Sequence, residues 1–511
     1  MEDPQSSDLL GQRKVRLEKV EELKKLGINP YPAKSYKENS IGDILKNYEE
    51  YEGKQTILAG RVIAWREHGK LLFGNIKDES GTIQLMIRES ELVEDLEKGY
   101  LGWDKLYLLD LADFVELYGS IGKSKTGEIS IIVSNVRLLT KALRPIPRQL
   151  EDKEQIFRRR YLDLVVNEDH FEMFKRKAKF WQVQRDFLKK KGFMEVEVPI
   201  LEPITGGADA KPFVTHHNAL NQDFYLRIST ELYQKRLIGA GYEKIYTFGP
   251  HFRNEGMDDE HLQEFYDIEW YWAYANFRDN MQLVHDLLLE IAKEIYGKTE
   301  FTTRGHTFDL ADEWEELDYT KSIKEKYDID IFQDDIEDIR KVAEGLHLEI
   351  EPDANRNRLI DALWKNIRKD ISGPAFLINQ PKFLSPLAKS HDDREEITER
   401  FQVIIAGSEL GNGYSEINNP LDQLDRFLEQ QELREQGDDE AHMLDIDFVE
   451  MLEYGMPPAS GYGQSERIFW FLEDVTAREG TFFPQMKTEI DNITKKIYKD
   501  KVEFLRKQKI V

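Results

Sequence analysis

Residues 246–274 have the sequence YTFGPHFRNEGMDDEHLQEFYDIEWYWAY, and this stretch decides the fold of the chain. It predicts two strands joined by a charged loop, residues 256–263. In the second strand the residue types alternate with period two, so neighbouring side chains point to opposite faces. One face would carry Phe265, Asp267, Glu269 and Tyr271, and the other would carry Tyr266, Ile268, Trp270 and Trp272. The second face can pack a core, whereas the first forms a polar wall beside Arg253 and Glu255 of the first strand.

Alternating polar residues on a strand usually face solvent. Here, however, an arginine, three carboxylates and flat aromatic rings converge on one hairpin, which suits a polar ligand with both charges and a planar ring. The run Phe-Arg-Asn-Glu, a short loop and His-x-x-Glu-Phe resembles motif 2 of the class II aminoacyl-tRNA synthetases. The resemblance implies that the hairpin holds ATP, through Arg253, Glu255, His261 and Phe265, and that Arg253 also contacts the carboxylate of the amino acid.

Length and composition limit the remaining possibilities. At 511 residues the chain is too long for one typical core, so two or three domains are expected. No cysteine is present, which excludes disulfides and cysteine metal sites. A net charge of −26 argues, taken alone, against nucleic-acid binding, although Lys and Arg cluster at 175–179, 189–191 and 495–509. No apolar run could span a bilayer, and the N-terminus MEDPQSS lacks the apolar segment of a signal peptide, so we expect a cytoplasmic location without membrane association.

The first part of the chain, residues 1–145, is predicted to be an N-terminal helix followed by a β-barrel. Residues 12–26 have helical apolar spacing and end at Gly27. Residues 55–139 contain short strands separated by glycine or charged turns, a pattern typical of a small closed barrel. An OB-fold is the preferred interpretation, and another small β-barrel is the alternative.

The barrel residues also resemble a known domain. The runs AGRVIAWREHGKLLFGNIKDESGTIQL and SKTGEIS are similar to the anticodon-binding domain of bacterial lysyl-tRNA synthetases. The resemblance implies that Phe73, Gln84 and Glu128 grip the anticodon, with Arg61 nearby. Barrels of this kind stack bases on aromatic rings and contact their edges with polar groups. Without the resemblance, an isolated Phe73 would be assigned to the core.

Residues 146–487 are predicted to be a class II catalytic domain, an antiparallel sheet flanked by helices, which makes the whole chain α+β. Residues 174–188 form an amphipathic helix that leads into a strand, 193–198, and stops at Pro199. This succession resembles class II motif 1, and a homodimer is implied by that resemblance alone. A charged helical insertion is expected at about 311–370, and a basic tail at 488–511. In the tail, Ile490, Ile493, Ile497 and Phe504 would share a helical face that packs on the body, with tRNA binding as the alternative.

Two further stretches resemble the lysine pocket of the lysyl enzymes. In residues 201–237 a Gly-Gly pair permits close backbone approach, and Glu231 begins a helix, where capping would be its ordinary role. The resemblance instead assigns Glu231 to the α-ammonium of lysine and Glu416 to the ε-ammonium, with Tyr271 alongside. The complete lysine set that it implies is Gly207, Glu231, Arg253, Glu269, Tyr271, Asn412, Tyr414 and Glu416.

The remaining predictions concern phosphate and metal. A Gly-Asn-Gly at 411–413 would break a strand, and the preceding Glu409 suits Mg²⁺, which bridges one or two carboxylates to phosphates. A glycine-rich turn at 461–463 would open an apolar helix carrying Arg467, which makes an anion site. It resembles motif 3, whose arginine contacts the ATP triphosphate. Arg253 and Arg467 are therefore the predicted catalytic pair, acting by positioning and charge neutralisation.

The sequence departs from the family pattern at three places, and all three are expected to lie around the ATP phosphates. Glu260 precedes His261 where the family has arginine, Gln402 stands where a second magnesium-binding Glu is expected, and motif 3 is one residue short. We predict ATP-dependent activation of L-lysine and its transfer to tRNA(Lys). The alternative is a catalytically weak paralogue that binds tRNA or senses lysine.

Overall fold

A computed structural model describes residues 4–351, 354–438, 440–499 and 503. The chain divides into two compact units, one comprising residues up to 150 together with those from 487 onward, and the other comprising residues 151–486. Among the described residues, no helix combines the length and the apolar character needed to cross a membrane.

The first unit is built on a closed barrel with strand order β1-β2-β3-β5-β4. Its elements are α1 (Pro4–Lys25), α2 (Ile41–Lys46), α3 (Tyr48–Tyr51), β1 (Gln55–His68), β2 (Leu71–Asp78), β3 (Gly81–Arg88), a 3₁₀ helix (Trp103–Leu108), β4 (Phe114–Lys123) and β5 (Ile129–Thr140). Alternate side chains of each strand, such as Leu58, Ile76 and Leu85, fill the barrel. The predicted small barrel and N-terminal helix are confirmed.

The second unit contains an eight-stranded sheet with several helices packed on it. Its elements up to the insertion are α4 (Lys153–Arg158), α5 (Arg160–Val166), α6 (Glu168–Lys190), β6 (Met194–Glu195), β7 (Leu201–Glu202), β8 (Val214–His217), β9 (Gln222–Leu226), α7 (Glu231–Gly239), β10 (Lys244–Phe252), β11 (Glu264–Ala273), α8 (Phe277–Ile291), a π-helical turn (Ala292–Tyr296), β12 (Glu300–Thr303), β13 (His306–Asp309) and β14 (Glu315–Asp318). The remaining ones are α9 (Tyr319–Tyr327), α10 (Ile336–Gly345), α11 (Arg356–Arg368), β15 (Ala375–Ile378), a 3₁₀ helix (Lys382–Leu384), β16 (Arg400–Ile405), β17 (Ser408–Ser415), α12 (Pro420–Glu435), α13 (Ile446–Tyr454), β18 (Ala459–Ser465) and α14 (Arg467–Leu472).

The order of the large sheet is β14-β15-β16-β17-β18-β11-β10-β6, and the predicted hairpin β10–β11 lies within it. The strands from β15 to β10 are antiparallel to their neighbours, while the edge strands β14 and β6 are parallel to theirs. Phe180 of α6, Val284 of α8 and Ile468 of α14 belong to the same buried cluster as Trp270 of β11. The predicted α+β class, with a largely antiparallel sheet flanked by helices, is confirmed.

Three local predictions were wrong. The glycines at 461–463 lie inside strand β18 instead of a turn, and the Gly-Asn-Gly at 411–413 lies inside β17 without breaking it. The strand predicted at 193–198 is limited to β6, a two-residue parallel pairing with β10. In the two long strands, glycine is needed because neighbouring chains approach closely. A Cβ on Gly413 would lie 2.7 Å from the carbonyl oxygen of Gly461.

The predicted helical insertion corresponds to β14 followed by α9, α10 and α11, and these helices bury their own apolar cluster, which includes Ile339, Leu363 and Trp364. In the described part of the tail, residues 492–497 form a short helix, α15 (Asn492–Ile497). Ile493 and Ile497 are half-buried. The last predicted member of the tail's apolar face, Phe504, lies outside the described residues.

Candidate active site

The hairpin β10–β11 forms the floor of the site. Asp267, Glu269 and Tyr271 of β11 are buried, and Phe265 lies half-buried near the loop end of the strand. Arg253 follows β10 directly, and its guanidinium carbon lies 5.2 Å from the centre of the Phe265 ring. The period-two alternation therefore places a cation, a flat ring and two carboxylates on one face, as the sequence predicted.

A cavity of about 240 Å³ opens above this face. It is bounded by the hairpin and its loop, by β17 and β18, and by the start of α14. Its lining includes Arg253, Glu255 and Phe265 on one side and Asn412 and Arg467 on the other. Seven of the predicted ATP- and lysine-binding residues, these five together with His261 and Glu409, thus border one cavity, although they are up to 214 residues apart in the sequence (467 − 253).

Glu269 is the most extensively bonded carboxylate of the floor. Ser229 Oγ donates to it at 3.0 Å and Thr230 Oγ1 at 2.9 Å, and Nε2 of the buried His251 lies 3.2 Å away. Burial opposes ionisation of Glu269, but these contacts hold its pKa below the usual value. Burial lowers the pKa of His251, so its imidazole is neutral near pH 7.

A cluster of three charges lies beyond Glu269, among the strands and α7. Lys235 Nζ lies 2.7 Å from Glu231 Oε1 and 2.5 Å from Glu416 Oε2. Tyr414 Oη donates to the other oxygen of Glu231 at 2.5 Å. Glu231 is thus an ion-pairing group and not a helix cap, because Lys235 contacts one of its carboxylate oxygens and Tyr414 donates to the other.

The second carboxylate of the cluster, Glu416, is only 1 % exposed. Its Oε1 lies beside the backbone of Gly461 and has no side-chain hydrogen-bond partner among the described residues. Burial raises the pKa of Glu416 to about 8, although Lys235 acts in the opposite direction. A second cation that reached Oε1 would relieve this desolvation.

Two glycines give the pocket its space. Gly207 has φ +89°, and a Cβ there would lie 2.6 Å from Ser229 Oγ. A Cβ on Gly461 would lie 2.4 Å from Cε1 of Tyr271 and 2.5 Å from Oε1 of Glu416. Any larger residue at 461 would therefore displace the two groups predicted to receive the ε-ammonium of lysine.

At the opposite end of the cavity, the motif 3 arginine already has an anionic partner. Arg467 Nη2 lies 2.5 Å from Glu260 Oε2, and Ser408 Oγ donates to both oxygens of the same carboxylate. Arg304, from the turn between β12 and β13, also pairs with Glu260 and stacks on Phe471. Burial opposes ionisation of Glu260, but Arg467 and Arg304 hold its pKa below the usual value. A carboxylate therefore occupies the place where a phosphate would meet Arg467.

The predicted metal ligand Glu409 lies on the same rim. A register shift in the pairing of β16 with β17 brings Glu409 opposite Ile404 and Asn412 opposite Gln402. Trp364 Nε1 donates to Glu409 at 2.8 Å and Gln402 Nε2 donates to it at 3.2 Å. Among the described residues no group of three or more His, Cys, Asp or Glu side chains forms a metal site. One carboxylate is sufficient for Mg²⁺ only when phosphates supply further ligands.

Two predicted ATP residues lie in the exposed loop after β10. Glu255 Oε1 accepts a hydrogen bond from the backbone N–H of Lys211 at 3.1 Å. His261 is exposed, and its Nδ1 lies 2.9 Å from Asp258. Both residues line the cavity with the rest of the loop.

Comparison with known proteins agrees with this geometry. Residues 152–487 match the model of the tRNA synthetases class II (D, K and N), and residues 56–139 match that of the OB-fold nucleic acid binding domain. The chain belongs to the class II tRNA synthetases. A lysine–tRNA ligase of Thermotoga maritima is 43 % identical over 96 % of this chain and 98 % of its own length. Lysine–tRNA ligases of Fervidobacterium nodosum and Carboxydothermus hydrogenoformans are 41 % and 40 % identical, over 94 % and 93 % of this chain and 94 % and 97 % of their own lengths.

The barrel of this class II synthetase, now confirmed as an OB-fold, carries the predicted anticodon residues on its outer surface. Phe73 is half-buried on the outer face of β2, and Gln84 Nε2 donates to Glu128 at 2.6 Å. Arg61 does not join them: its guanidinium stacks on Phe114 and donates to a backbone carbonyl, and its Cα is paired with Lys77, four residues from Phe73.

Several residues with a clear place in the synthetase site were missed from the sequence. Lys235 and His251 were assigned no role, and Asp267 was placed on the polar wall without one, although its Oδ1 has no hydrogen-bond partner among the described residues and burial raises its pKa. On the barrel, the exposed Arg66 pairs directly opposite Phe73. Helical spacing could have placed Lys235 one turn after Glu231, but nothing in the sequence indicates that Glu416 meets the same ammonium.

Proposed function

We propose that the chain joins L-lysine to tRNA(Lys) in two steps that use ATP. In the first step, a carboxylate oxygen of lysine attacks the α-phosphorus of ATP, the bond to the β-phosphate breaks, and pyrophosphate leaves. In the second, a hydroxyl at the 3′ end of tRNA attacks the carbonyl carbon of lysyl-adenylate, and AMP leaves. The three relatives are lysine–tRNA ligases, which supports this proposal.

The observation that carries the choice of lysine is the buried Glu416. Its Oε1 faces Gly461 without a side-chain donor, and the cluster with Lys235 and Glu231 has two negative charges and one positive. An aspartate side chain would be repelled by this surplus negative charge. An uncharged isostere of lysine would leave Oε1 of Glu416 desolvated and without a cationic partner, which is the kind of mismatch that a polar pocket rejects strongly.

The reaction needs two anions to meet, so positioning and charge neutralisation are the expected means of catalysis. Arg253 would contact both the lysine carboxylate and the α-phosphate, and the adenine would stack on Phe265. Arg467 would contact the triphosphate. The lysine pocket would further use Gly207, Glu231, Glu269, Tyr271, Asn412 and Tyr414, with Glu255 and His261 at the nucleotide.

The residues of this site suit one magnesium ion and do not suit a fixed pair of magnesium ions. Glu409 would hold Mg²⁺ together with phosphate oxygens, and the ion would neutralise phosphate charge. Gln402 is a neutral group whose amide already donates to Glu409, so it makes a poor second ligand.

Three further features belong to the proposal. Residues 1–145 would bind the anticodon through Phe73, Gln84 and Glu128, with Arg66 opposite Phe73 as an additional contact for the phosphates or bases. Residues 146–487 would be the catalytic domain, and 488–511 a tail. The resemblance of α6 and the following residues to motif 1 supports a homodimer, and the family's role in translation supports a cytoplasmic location.

The decisive experiment is amino-acid-dependent ATP–pyrophosphate exchange with lysine, arginine, aspartate and asparagine at several Mg²⁺ concentrations. Exchange with lysine alone is expected. The contact between Glu260 and Arg467 favours the second candidate, a catalytically weak paralogue that binds tRNA or lysine. Folded protein that binds tRNA yet gives no exchange with any of the four amino acids would establish that candidate.

A further inference from the structure

Lys235 is a fully buried charged group of the lysine pocket to which the resemblance assigns no role. It is 0 % exposed, and its ammonium bridges Glu231 of the same helix and Glu416, which follows β17. The ammonium also lies 5.7 Å and 5.6 Å from the ring centres of Tyr414 and Phe448. A buried cation with two carboxylates and two rings as neighbours is held in one place.

The bridge has an electrostatic consequence for the pocket. Without Lys235, Glu231 and Glu416 would be two buried carboxylates close to each other with no cation between them. Their mutual repulsion would cause one of them to take up a proton. With Lys235 present, one negative charge is neutralised and one remains. That remaining charge is what the single ε-ammonium of a lysine substrate can neutralise.

The bridge also fixes where the remaining charge is available. Lys235 contacts Oε2 of Glu416 and leaves Oε1 toward Gly461 and Tyr271, where the glycine provides room. On Glu231, by contrast, Lys235 and Tyr414 occupy both oxygens. The free acceptor is therefore on Glu416, next to the space into which a substrate side chain would extend.

We infer that Lys235 is a positioning residue that sets the specificity for lysine: its ammonium favours the ionised form of Glu416 and keeps Oε1 directed toward the substrate's ε-ammonium. This inference rests on the proposed function. Lys235 acts through Glu416 and does not touch the reacting atoms.

The other charged and titratable groups around the bridge do not replace it. On β11, Glu269 is engaged by Ser229, Thr230 and His251, and Tyr271 is kept neutral because burial raises its pKa. On β17, burial likewise raises the pKa of Tyr414. Arg400 of β16, a further cation, donates to Asn412 and to a backbone carbonyl. Loss of Lys235 would therefore leave Glu416 without a cationic contact in the described pocket.

The test compares Lys235→Met with the parent in lysine-dependent ATP–pyrophosphate exchange between pH 6 and 9. The Michaelis constant for lysine is expected to rise roughly tenfold or more, because a contact between charged groups is lost, while that for ATP changes less than about twofold. The pH below which lysine binding weakens should move upward by about one unit, since removal of the cation makes Glu416 harder to ionise. Lys235→Arg, which keeps the charge, should retain the parent's pH midpoint with a moderately raised Michaelis constant for lysine.

The chain offers a matched control. In the first unit, Lys141 is also buried between two carboxylates, 2.5 Å from Asp110 and 2.6 Å from Asp113. Lys141→Met should cost stability by the same physics and leave both Michaelis constants and the pH midpoint of exchange unchanged.

The outcomes separate this inference from the proposed function. A parent without lysine-dependent exchange would refute the function itself. An active parent and a folded Lys235→Met variant with an unshifted pH midpoint would overturn the positioning role alone. If Lys235→Met does not fold, Lys235→Gln, which also removes the charge, takes its place, and an unshifted pH midpoint with an unchanged Michaelis constant for lysine in that variant would overturn the positioning role.

Discussion

At the scale of single residues, we predict that substitution of Glu416 separates recognition of lysine from recognition of ATP. Glu416→Gln keeps the shape of the side chain but removes the charge that the ε-ammonium would meet. Loss of a hydrogen bond to a charged group corresponds to a roughly 10- to 150-fold lower kcat/KM for lysine. Pyrophosphate exchange at varied lysine and varied ATP measures the effect, with little change expected for ATP. Equal losses for both substrates would show that Glu416 lies elsewhere in the reaction.

The same carboxylate predicts how lysine binding depends on pH. Burial raises the pKa of Glu416 to about 8 in the ligand-free protein, and an ammonium at Oε1 would lower it. Lysine should therefore bind more weakly as the pH falls below about 8, approaching a tenfold rise in the Michaelis constant per pH unit. The Michaelis constant for ATP, measured in the same samples, serves as the reference. A lysine value that stays flat from pH 6 to 9 would contradict the raised pKa.

Sequence alone was a good guide to the residues of one strand and a poor one to their partners. Alternation in β11 correctly put Asp267, Glu269 and Tyr271 on the buried polar face, because the period of a strand is local. The bridge from Lys235 to Glu416 joins groups 181 positions apart (416 − 235) and depends on strand order, which no local pattern encodes.

At the scale of elements, the loop between β10 and β11 contacts Arg467. Its residue Glu260 pairs with Arg467 and Arg304, so an ATP phosphate that met Arg467 would have to displace this carboxylate. Glu260→Gln should lower the Michaelis constant for ATP several-fold. The reason is that the half-buried carboxylate of Glu260 competes directly with the phosphate for Arg467. Asp259→Asn, which removes a negative charge from the same loop, should change it little. A higher Michaelis constant for ATP in Glu260→Gln would mean that the carboxylate holds the arginines in their binding positions.

Glycine explains why two elements were mispredicted. A glycine-rich run usually indicates a turn, and 461–463 was assigned to one. In β18 the glycine is required by tertiary contacts instead, since a Cβ on Gly461 would overlap Tyr271 and Glu416. In β17 the same need applies to Gly411, where a Cβ would overlap the hydroxyl of Tyr462. Close approach between strands leaves the same signature in the sequence as a turn does, and only the neighbouring chain distinguishes them.

At the scale of the whole molecule, the two units were visible in the sequence because each has its own periodicity. Short alternating strands end at about residue 140, and helical spacing follows. The contribution of the tail was less predictable. The residues from 487 onward group with the barrel unit and not with the catalytic unit that precedes them. This grouping depends on contacts that a short helix near the end of the chain makes.

This division predicts that anticodon recognition and amino-acid activation can be separated by mutation. Phe73→Ala removes a half-buried ring from the outer face of β2, where a base would stack. Stacking of one base contributes about 1–3 kcal/mol, so kcat/KM for tRNA in the charging reaction should fall roughly 5- to 150-fold. Pyrophosphate exchange with lysine, which needs no tRNA, should be unaffected.

The matched control is Tyr118→Ala, since Tyr118 is an exposed ring on β4 of the same barrel. This variant should leave charging unchanged. Charging by Phe73→Ala at the parent rate would remove this face of the barrel from tRNA recognition, and a parallel loss of exchange would show that Phe73 supports the fold and not the contact with the anticodon.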